Sequence, residues 1–141
     1  MGGAIGKGCV LTLVDRKSRM LYTDLRRGHG SEEGKQSIMR TVEGKSILSL
    51  TLDRGSEFAK FKEIEKGTGI TIYFADPHSP WQRGTNENTN DILRFFFPKG
   101  TNFYQVTNQQ LQQVTTLLNN RPRKCLNWLS PLEFISTKCC T

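Results

Sequence analysis

Four short segments of the chain, two of them apolar runs and two with alternating apolar and polar residues, predict the strands. Residues 9–14 and 20–25 are rich in β-branched and aliphatic residues and flank a short polar turn, which predicts a hairpin. Residues 46–52 alternate apolar and polar positions, and residues 70–75 form a short apolar run rich in β-branched and aromatic residues. Both segments end at polar or turn-forming residues, so each predicts one further strand.

Other segments carry apolar residues at helical spacing. The segment that begins at Ser31 opens with two acids, as helices commonly do. Leu111, Val114, Leu117 and Leu118 follow the period of an amphipathic helix, and Pro131 is placed for a helix start. The predicted helices cover residues 31–43, 56–66, 85–97 and 107–120, with a fifth that begins at residue 130.

The predicted order is β-β-α-β-α-β followed by helices, which indicates an α/β fold with a mixed sheet and flanking helices. The 141 residues suit one domain, covering positions 1–141. Apolar runs stay well short of the ~20 residues of a membrane span, so we expect no membrane association. The first residues lack the basic-then-apolar order of a signal peptide. The four cysteines show no metal-binding spacing, which favours a reduced cytoplasmic protein.

The net charge of the chain indicates a candidate class of binding partner. The chain has 20 Lys and Arg against 13 Asp and Glu, a net charge of +7. A basic domain indicates a polyanionic partner such as nucleic acid, and the alternative is ordinary surface charge that promotes solubility. For the asparagines near residue 87, the alternative is capping of a helix. The candidate DNA-binding residues are Arg83, Asn86, Asn88, Arg94, Lys99, Arg121, Arg123 and Lys124.

Two carboxylates occupy positions suited to a metal. Asp53 follows a predicted strand, and Glu87 lies in the first turn of a predicted helix. Mg²⁺ prefers carboxylates, water and phosphate oxygens, and two such ions can activate a water and stabilise a leaving oxygen. Two alternatives stay open: Asp53 belongs to a simple turn, or Glu87 only offsets the helix dipole.

Three segments resemble a known family. LTLVDRKSR, SPWQRGTNENTN and LNNRPRKCL are similar to the catalytic core of DDE transposases of the insertion sequence 30 family, over about residues 5–137. Those transposases are relatives of retroviral integrases with the RNase H-like fold. The resemblance implies that Asp53 is the second catalytic carboxylate and Glu87 the third. It also implies Mg²⁺- or Mn²⁺-dependent cleavage of DNA at transposon ends, followed by strand transfer.

One part of the family pattern is missing. The first catalytic Asp of the family lies on the opening strand, in a segment like W-E-G-D, whereas residues 1–4 here contain no acid. We therefore expect a core domain truncated at its N-terminus, with the opening strand short or missing. Asp15 matches a position at the far end of the second strand, and Glu57 follows Asp53 by one helical turn. The sequence leaves open whether either contributes to the metal site.

The leading hypothesis is a transposase catalytic core for DNA transposition and integration. As this fragment we expect it to bind metal weakly and to be inactive. The alternative is a non-catalytic remnant that binds DNA or a partner protein, and a third option is an RNase H-like nuclease. We expect Asp53 and Glu87 to lie within about 8 Å, the span of a pair of ions. We also expect a homo-oligomer through an unpaired edge of residues 9–14, and a nucleoid-associated bacterial location.

Overall fold

The computed structural model describes residues 8–28, 30–52, 60–76 and 84–139. For residues 138 and 139 it describes the backbone alone. Strand β1 (Cys9–Val14) and strand β2 (Leu21–Arg26) pair antiparallel. Cys9 lies opposite Arg26, and Val14 lies opposite Leu21 across the short turn. The predicted hairpin is confirmed.

A second pair of strands is parallel. Strand β3 (Ser49–Leu52) pairs with strand β4 (Thr71–Phe74), and both strands lie within the predicted segments. Strand β3 begins at Ser49, three residues later than the pattern predicts, and Leu48 just before it is 90% exposed. Within the described residues the two pairs form separate small sheets rather than one continuous sheet. The predicted opening strand would fall in residues 1–7, which lie outside the described residues.

Five helices occupy the predicted positions. Helix α2 ends at Thr68 rather than residue 66, because Gly69 adopts the left-handed conformation (φ 71°) that closes the last turn. The first part of its predicted range, residues 56–59, lies outside the described residues. A 3-10 turn (Lys124–Leu126) precedes the last helix. The helices are α1 (Ser31–Val42), α2 (Phe61–Thr68), α3 (Gly84–Phe96), α4 (Asn108–Asn119) and α5 (Pro131–Cys139).

The β1–β2 hairpin is covered on both faces. One face packs into the main apolar core with helices α1 and α2 and the β3–β4 pair, through Leu11, Ile38 and Ile64. The opposite face carries Val10 and Leu21, which pack against α3, α4 and the segment between them. Alternate strand residues point to opposite faces, so the same hairpin supports both layers of helices.

Helix α4 also bonds to the backbone of β2. Asn119 is buried and accepts a hydrogen bond from Leu21 N (2.8 Å) while donating one to Leu21 O (2.9 Å). Gln112 donates to Thr23 O at 3.3 Å. These bonds satisfy backbone groups of a strand that has a single partner strand among the described residues. No helix in the described ranges has the length and apolar character needed to cross a bilayer.

Candidate active site and DNA-binding surface

Glu87 lies in the first turn of α3, as the sequence predicts, and its side chain is exposed. The first helical turn presents backbone N–H groups and the positive end of the helix dipole, which stabilise a carboxylate there. The exposed carboxylate is therefore open to a cation.

The adjoining face of α3 is docked on β1 by polar contacts. The Thr12 hydroxyl donates to Asn90 Oδ1 at 3.0 Å, and Asn86 Oδ1 lies 3.4 Å from the same hydroxyl. Asn86 and Asn90 are four residues apart and share one face of the helix. Asn88 and Glu87 are exposed. Asn86 thus contributes to packing, while Asn88 and Glu87 face solvent.

Apolar packing fixes the middle of the same helix. Leu93 is fully buried and packs with Leu21 and Leu118. The Thr89 hydroxyl donates to Thr85 O at 2.9 Å within the helix. Together with the contacts to Thr12, this packing sets the rotation of α3 about its axis and so determines where Glu87 points.

The β1–β2 turn is organised by Asp15. Its carboxylate accepts from Lys17 N (2.9 Å) and from the Ser18 hydroxyl (2.8 Å), and its backbone carbonyl accepts from Arg19 N (2.8 Å). The sequence left open whether Asp15 belongs to a metal site. In the structure both of its carboxylate oxygens stabilise the turn.

Arg19 connects this turn to the start of α3. Its guanidinium donates from Nη1 to the Thr85 hydroxyl, and Thr85 lies two residues before Glu87. Arg19 has a φ of 62°, a left-handed conformation that is uncommon for a residue with a side chain. Arg19 is not among the predicted site residues, although it is the last residue of the LTLVDRKSR segment.

The predicted basic segment at residues 121–124 follows helix α4, whose Asn119 bonds to Leu21 at the start of β2. Arg121 and Lys124 are exposed and Arg123 is half-buried. Burial lowers the pKa of Arg123, and the charges of Arg121 and Arg19 lower it further, against an opposing effect of Cys125. Arg19 and Arg121 therefore each act on the charge of Arg123, and we call these three residues the arginine cluster.

The other described candidates lie toward the far end of α3. Arg94 is half-buried near the C-terminal end of the helix, and Lys99 is exposed just beyond it. A helix rises about 1.5 Å per residue, so the end of α3 lies roughly 10–15 Å from Glu87. The described DNA-binding candidates thus divide between the two ends of α3, with the arginine cluster near its start.

Several predicted site residues lie outside the described residues. These are Asp53 and Arg83, together with Glu57. The predicted separation of Asp53 from Glu87 therefore stays a prediction. Among the described residues, no three Asp, Glu, His or Cys side chains are grouped closely enough to hold a metal ion.

Comparison with solved structures identifies the class of fold. The catalytic core domain of bovine immunodeficiency virus (BIV) integrase superimposes with a TM-score of 0.69 at 16% identity, covering 95% of this chain and 90% of that one. An integrase chain in the simian T-cell lymphotropic virus intasome, solved with a PP2A regulatory subunit, gives 0.69 at 18% identity over 90% of this chain and 52% of that one. The fold is the RNase H-like fold of integrase catalytic cores, which confirms the predicted class.

Sequence comparison identifies the family within that class. Transposase InsI of insertion sequence element IS30A from Escherichia coli K12 is 46% identical over 129 residues, which cover 89% of this chain and 34% of the transposase. The transposase of IS4351 from Bacteroides fragilis is 40% identical over 131 residues, 90% of this chain and 40% of that protein. No protein-family model matches the chain.

The chain is therefore a relative of the IS30-family transposases, and the predicted resemblance is confirmed. It spans about a third of the length of the IS30A transposase.

Proposed function

We propose that this chain is the catalytic-core segment of a transposase, acting on DNA strands at the ends of an insertion sequence. The observation that carries the proposal is the open carboxylate of Glu87 at the start of α3, beside the arginine cluster. An exposed carboxylate can bind a metal cation, and basic side chains can bind the phosphates of a DNA strand. The IS30-family relatives support the reaction class.

The metal in this proposal is Mg²⁺ or Mn²⁺, held by Glu87 and Asp53. Glu87 fits, since its carboxylate is exposed and oxygen ligands suit both ions. When bound, such ions activate a nucleophile and stabilise the leaving oxygen of a phosphodiester. The protein's part is to hold Glu87 at the surface through the docking of α3 on Thr12 and through the burial of Leu93.

DNA binding would rest on the basic residues. Arg121 and Lys124 are exposed and able to contact phosphates, and Arg94 and Lys99 extend the positive surface toward the end of α3. Each phosphate contact releases counterions, so binding should be weak, non-specific and strongly dependent on salt. Asn88 and Arg83 complete the proposed set of contacts, with Asn86 engaged at Thr12.

A polypeptide of these 141 residues should bind DNA without cutting it. The family pattern has three carboxylates, and the residues that precede Ile5 here contain no acid. With one charged ligand fewer, too little negative charge remains to gather two divalent ions. The alternative is a remnant that binds DNA or a partner protein. A restored first Asp would recover cleavage in a catalytic core but not in such a remnant.

The test is a strand-cleavage assay on insertion-sequence end DNA with Mn²⁺. It compares the chain as given with a version in which a W-E-G-D segment precedes Ile5. We expect cleavage only by the extended version, and its loss in Asp53→Ala and Glu87→Gln variants. Asp91→Asn is the matched control, because Asp91 is also an exposed acid of α3, one turn after Glu87.

Two results would contradict this assignment. Cleavage by the unextended chain that survives Asp53→Ala and Glu87→Gln would place the chemistry elsewhere. Loss of cleavage in Asp91→Asn equal to that in Glu87→Gln would mean that general negative charge on α3, rather than Glu87 itself, is needed. If the extended version binds DNA and does not cut it, the non-catalytic remnant is favoured.

We further propose that the chain acts as a homo-oligomer on DNA in the bacterial cytoplasm, associated with the nucleoid. The support is the similarity to a chain of a viral intasome and the basic net charge of +7, which suits association with nucleic acid. Light scattering coupled to size-exclusion chromatography tests the assembly. A mass near 32 kDa, twice the 16.0 kDa of the chain, is expected for a dimer, and a monomer at high concentration would contradict it.

A further inference from the structure

The segment between helices α4 and α5 forms a closed loop that carries Trp128. Arg123 N donates to Leu129 O at 3.0 Å, which joins the two ends of the loop. Arg123 O accepts from Leu126 N (3.0 Å) and from Trp128 N (2.9 Å). Leu126 is buried, and so is Ser130 just after the loop. Backbone hydrogen bonds and two buried residues therefore fix the position of the Trp128 backbone.

Trp128 has a backbone conformation that its side chain disfavours. Its φ is 66°, and Asn127 before it has a φ of 53°, so two consecutive residues are left-handed. Asn tolerates this region, whereas a bulky aromatic residue there is a genuine outlier. Such outliers persist where the surrounding structure over-determines them, and they cluster at functional sites. The loop thus holds a Trp at a position where Asn or Gly would be less strained.

The indole of Trp128 is also largely in contact with solvent. Trp128 is 66% exposed, whereas Leu126 of the same loop is 6% exposed. Tryptophan side chains are highly buried on average, because a large aromatic surface gains much free energy on leaving water. Leu126 rather than Trp128 therefore anchors the loop to the core, and the exposed ring is available to a ligand.

The charge of the loop indicates which ligand suits the ring. Residues 120–132 contain three cations and no acid. Arg121 and Lys124 are exposed, and Lys124 O accepts from Asn127 N (3.2 Å) in the turn that leads to Trp128. A polyanion complements this charge, and a single-stranded nucleic acid also offers the flat faces of its bases to an aromatic ring. Basic grooves with exposed aromatic residues bind single strands in this way.

We propose that Trp128 stacks on an unpaired base of a DNA strand, while Arg121 and Lys124 contact the phosphates beside that base. This inference rests on the proposed function, because it assumes that DNA is the ligand. It adds to the backbone contacts of that function a preference for unpaired bases. Stacking tolerates any base sequence, since every base has a π-face. The closed loop holds the ring in place before binding, which lowers the entropic cost of the contact.

The test compares fluorescein-labelled DNAs by anisotropy: a single strand of about 20 thymidines and a blunt duplex of about 20 base pairs, both longer than one binding site. Trp128→Asn removes the ring and supplies a residue that tolerates the left-handed backbone. We expect single-strand affinity to fall roughly 5- to 100-fold and duplex affinity less than about 2-fold. Tyr73→Ala is the matched control, because Tyr73 is an aromatic residue of β4 with a similar exposure of 58%, and it should bind both DNAs like the parent chain.

Further measurements separate stacking from charge and from folding. Trp128→Phe keeps an aromatic ring and should retain the single-strand affinity within about 3-fold. Lys124→Gln should lower the slope of log K against log salt by about 0.7 on the single strand, whereas Trp128→Asn should leave that slope unchanged. Thermal unfolding followed by circular dichroism should show Trp128→Asn to be at least as stable as the parent chain, because Asn relieves the disfavoured backbone.

Several results would overturn the stacking contact. One is a Trp128→Asn variant that binds the single strand as tightly as the parent chain. Others are an equal loss on the single strand and the duplex, an equal loss in Trp128→Phe or Tyr73→Ala, or a lowered salt slope in Trp128→Asn. A marked loss of thermal stability in Trp128→Asn would instead assign the ring a structural role, and the proposal would be wrong.

Two outcomes concern the identity of the ligand. If Trp128→Asn keeps its affinity for DNA and converts a dimeric parent chain to a monomer in light scattering, the ring contacts a second copy of the chain, and the proposal is wrong. A parent chain that binds the duplex and not the single strand also overturns the proposal while leaving the proposed function intact. Failure of the parent chain to bind either DNA contradicts the proposed function itself.

Discussion

The two faces of the β1–β2 hairpin are held by different chemistry. On the side of α1 and α2, Leu11 packs with Ile38, Val42 and Ile64 in an apolar core. Among the described residues, the polar contacts of α1 with the hairpin converge on one residue, Asp24, whose Oδ2 accepts from the Ser37 hydroxyl (2.5 Å) and from Arg40 (2.7 Å). On the side of α3 and α4, apolar contacts alternate with polar pairs. Thr12 bonds to Asn90, the hydroxyls of Thr23 and Thr115 lie 2.7 Å apart, and Asn119 bonds to the backbone of Leu21.

The two faces of the hairpin also have different roles in the molecule. Apolar contacts are non-directional, so the core of the α1–α2 face gains stability from burial, with Asp24 as the point of directional contact to α1. Hydrogen bonds are directional and costly to leave unmade, so the α3–α4 face allows few alternative orientations. The proposed site lies on α3, where the orientation of one helix decides where Glu87 points.

The largest effect is expected on the apolar face. Ile38 and Ile64 are fully buried in its core. Truncation of either to Ala should lower the free energy of unfolding by about 2–5 kcal/mol, through lost burial and the cavity left behind. Urea denaturation followed by circular dichroism measures it. Leu48→Ala is the control, because Leu48 is exposed, and a comparable loss there would contradict the proposed location of the core.

The second effect tests the polar face. Asn119→Ala removes both hydrogen bonds to Leu21 and leaves buried backbone groups without partners. We expect a loss of about 1–3 kcal/mol in the free energy of unfolding. The neighbouring Asn120 is exposed and bonds to Thr116 O, so Asn120→Ala should cost clearly less. Equal losses would mean that the two asparagines act only through helix propensity at the end of α4.

The same contrast explains what could be predicted from sequence. Helix α4 follows from its apolar period, and it begins where Thr107 and Gln110 form a reciprocal capping box. Ser130 and Glu133 bond in the same way at the start of α5. Each of these capping signals involves residues that lie within four positions of one another in the sequence. The four strand segments also follow, because their apolar and alternating patterns reflect burial.

The polar pairs of the α3–α4 face could not be predicted in this way. Asn119 meets Leu21 across 98 positions, and Arg19 meets Thr85 across 66. No periodicity within a segment carries information about a partner so far along the chain. Arg19 therefore looks like one more basic residue in a turn, and Thr12 like a polar exception in an apolar strand. The position of Glu87 in the first turn of α3 follows from the local pattern, whereas its role as a metal ligand is what the family resemblance implies.

A third effect concerns the docking of α3. Thr12→Val removes the hydroxyl that donates to Asn90 and keeps the shape of the side chain. The net value of such a bond is about 0.5–1.5 kcal/mol, so the free energy of unfolding should fall by that amount. A double-mutant cycle with Asn90→Ala measures the coupling directly. Coupling indistinguishable from zero would show that Thr12 and Asn90 do not orient α3.

The smallest effect is expected from the ion pairs that join α1 and α2 at the surface. Lys60 Nζ lies 2.6 Å from Glu32 Oε2, and Lys35 Nζ lies 2.8 Å from Glu63 Oε2. Hydrogen bonds from Lys60 and Lys35 lower the pKa values of Glu32 and Glu63, respectively.

A lowered carboxyl pKa stabilises the fold above the ordinary glutamate value, and this contribution is lost as the pH falls through the lowered value. A Lys35→Gln/Lys60→Gln double variant should therefore melt slightly below the parent chain at pH 7, with the difference shrinking toward pH 3 and in 1 M NaCl. Thermal unfolding monitored by circular dichroism at both pH values measures it, with Lys62→Gln on exposed α2 surface as the control. A difference that is as large at pH 3 as at pH 7 would assign the effect of these lysines to the packing of their aliphatic stems, which would extend the apolar character of this face to its surface.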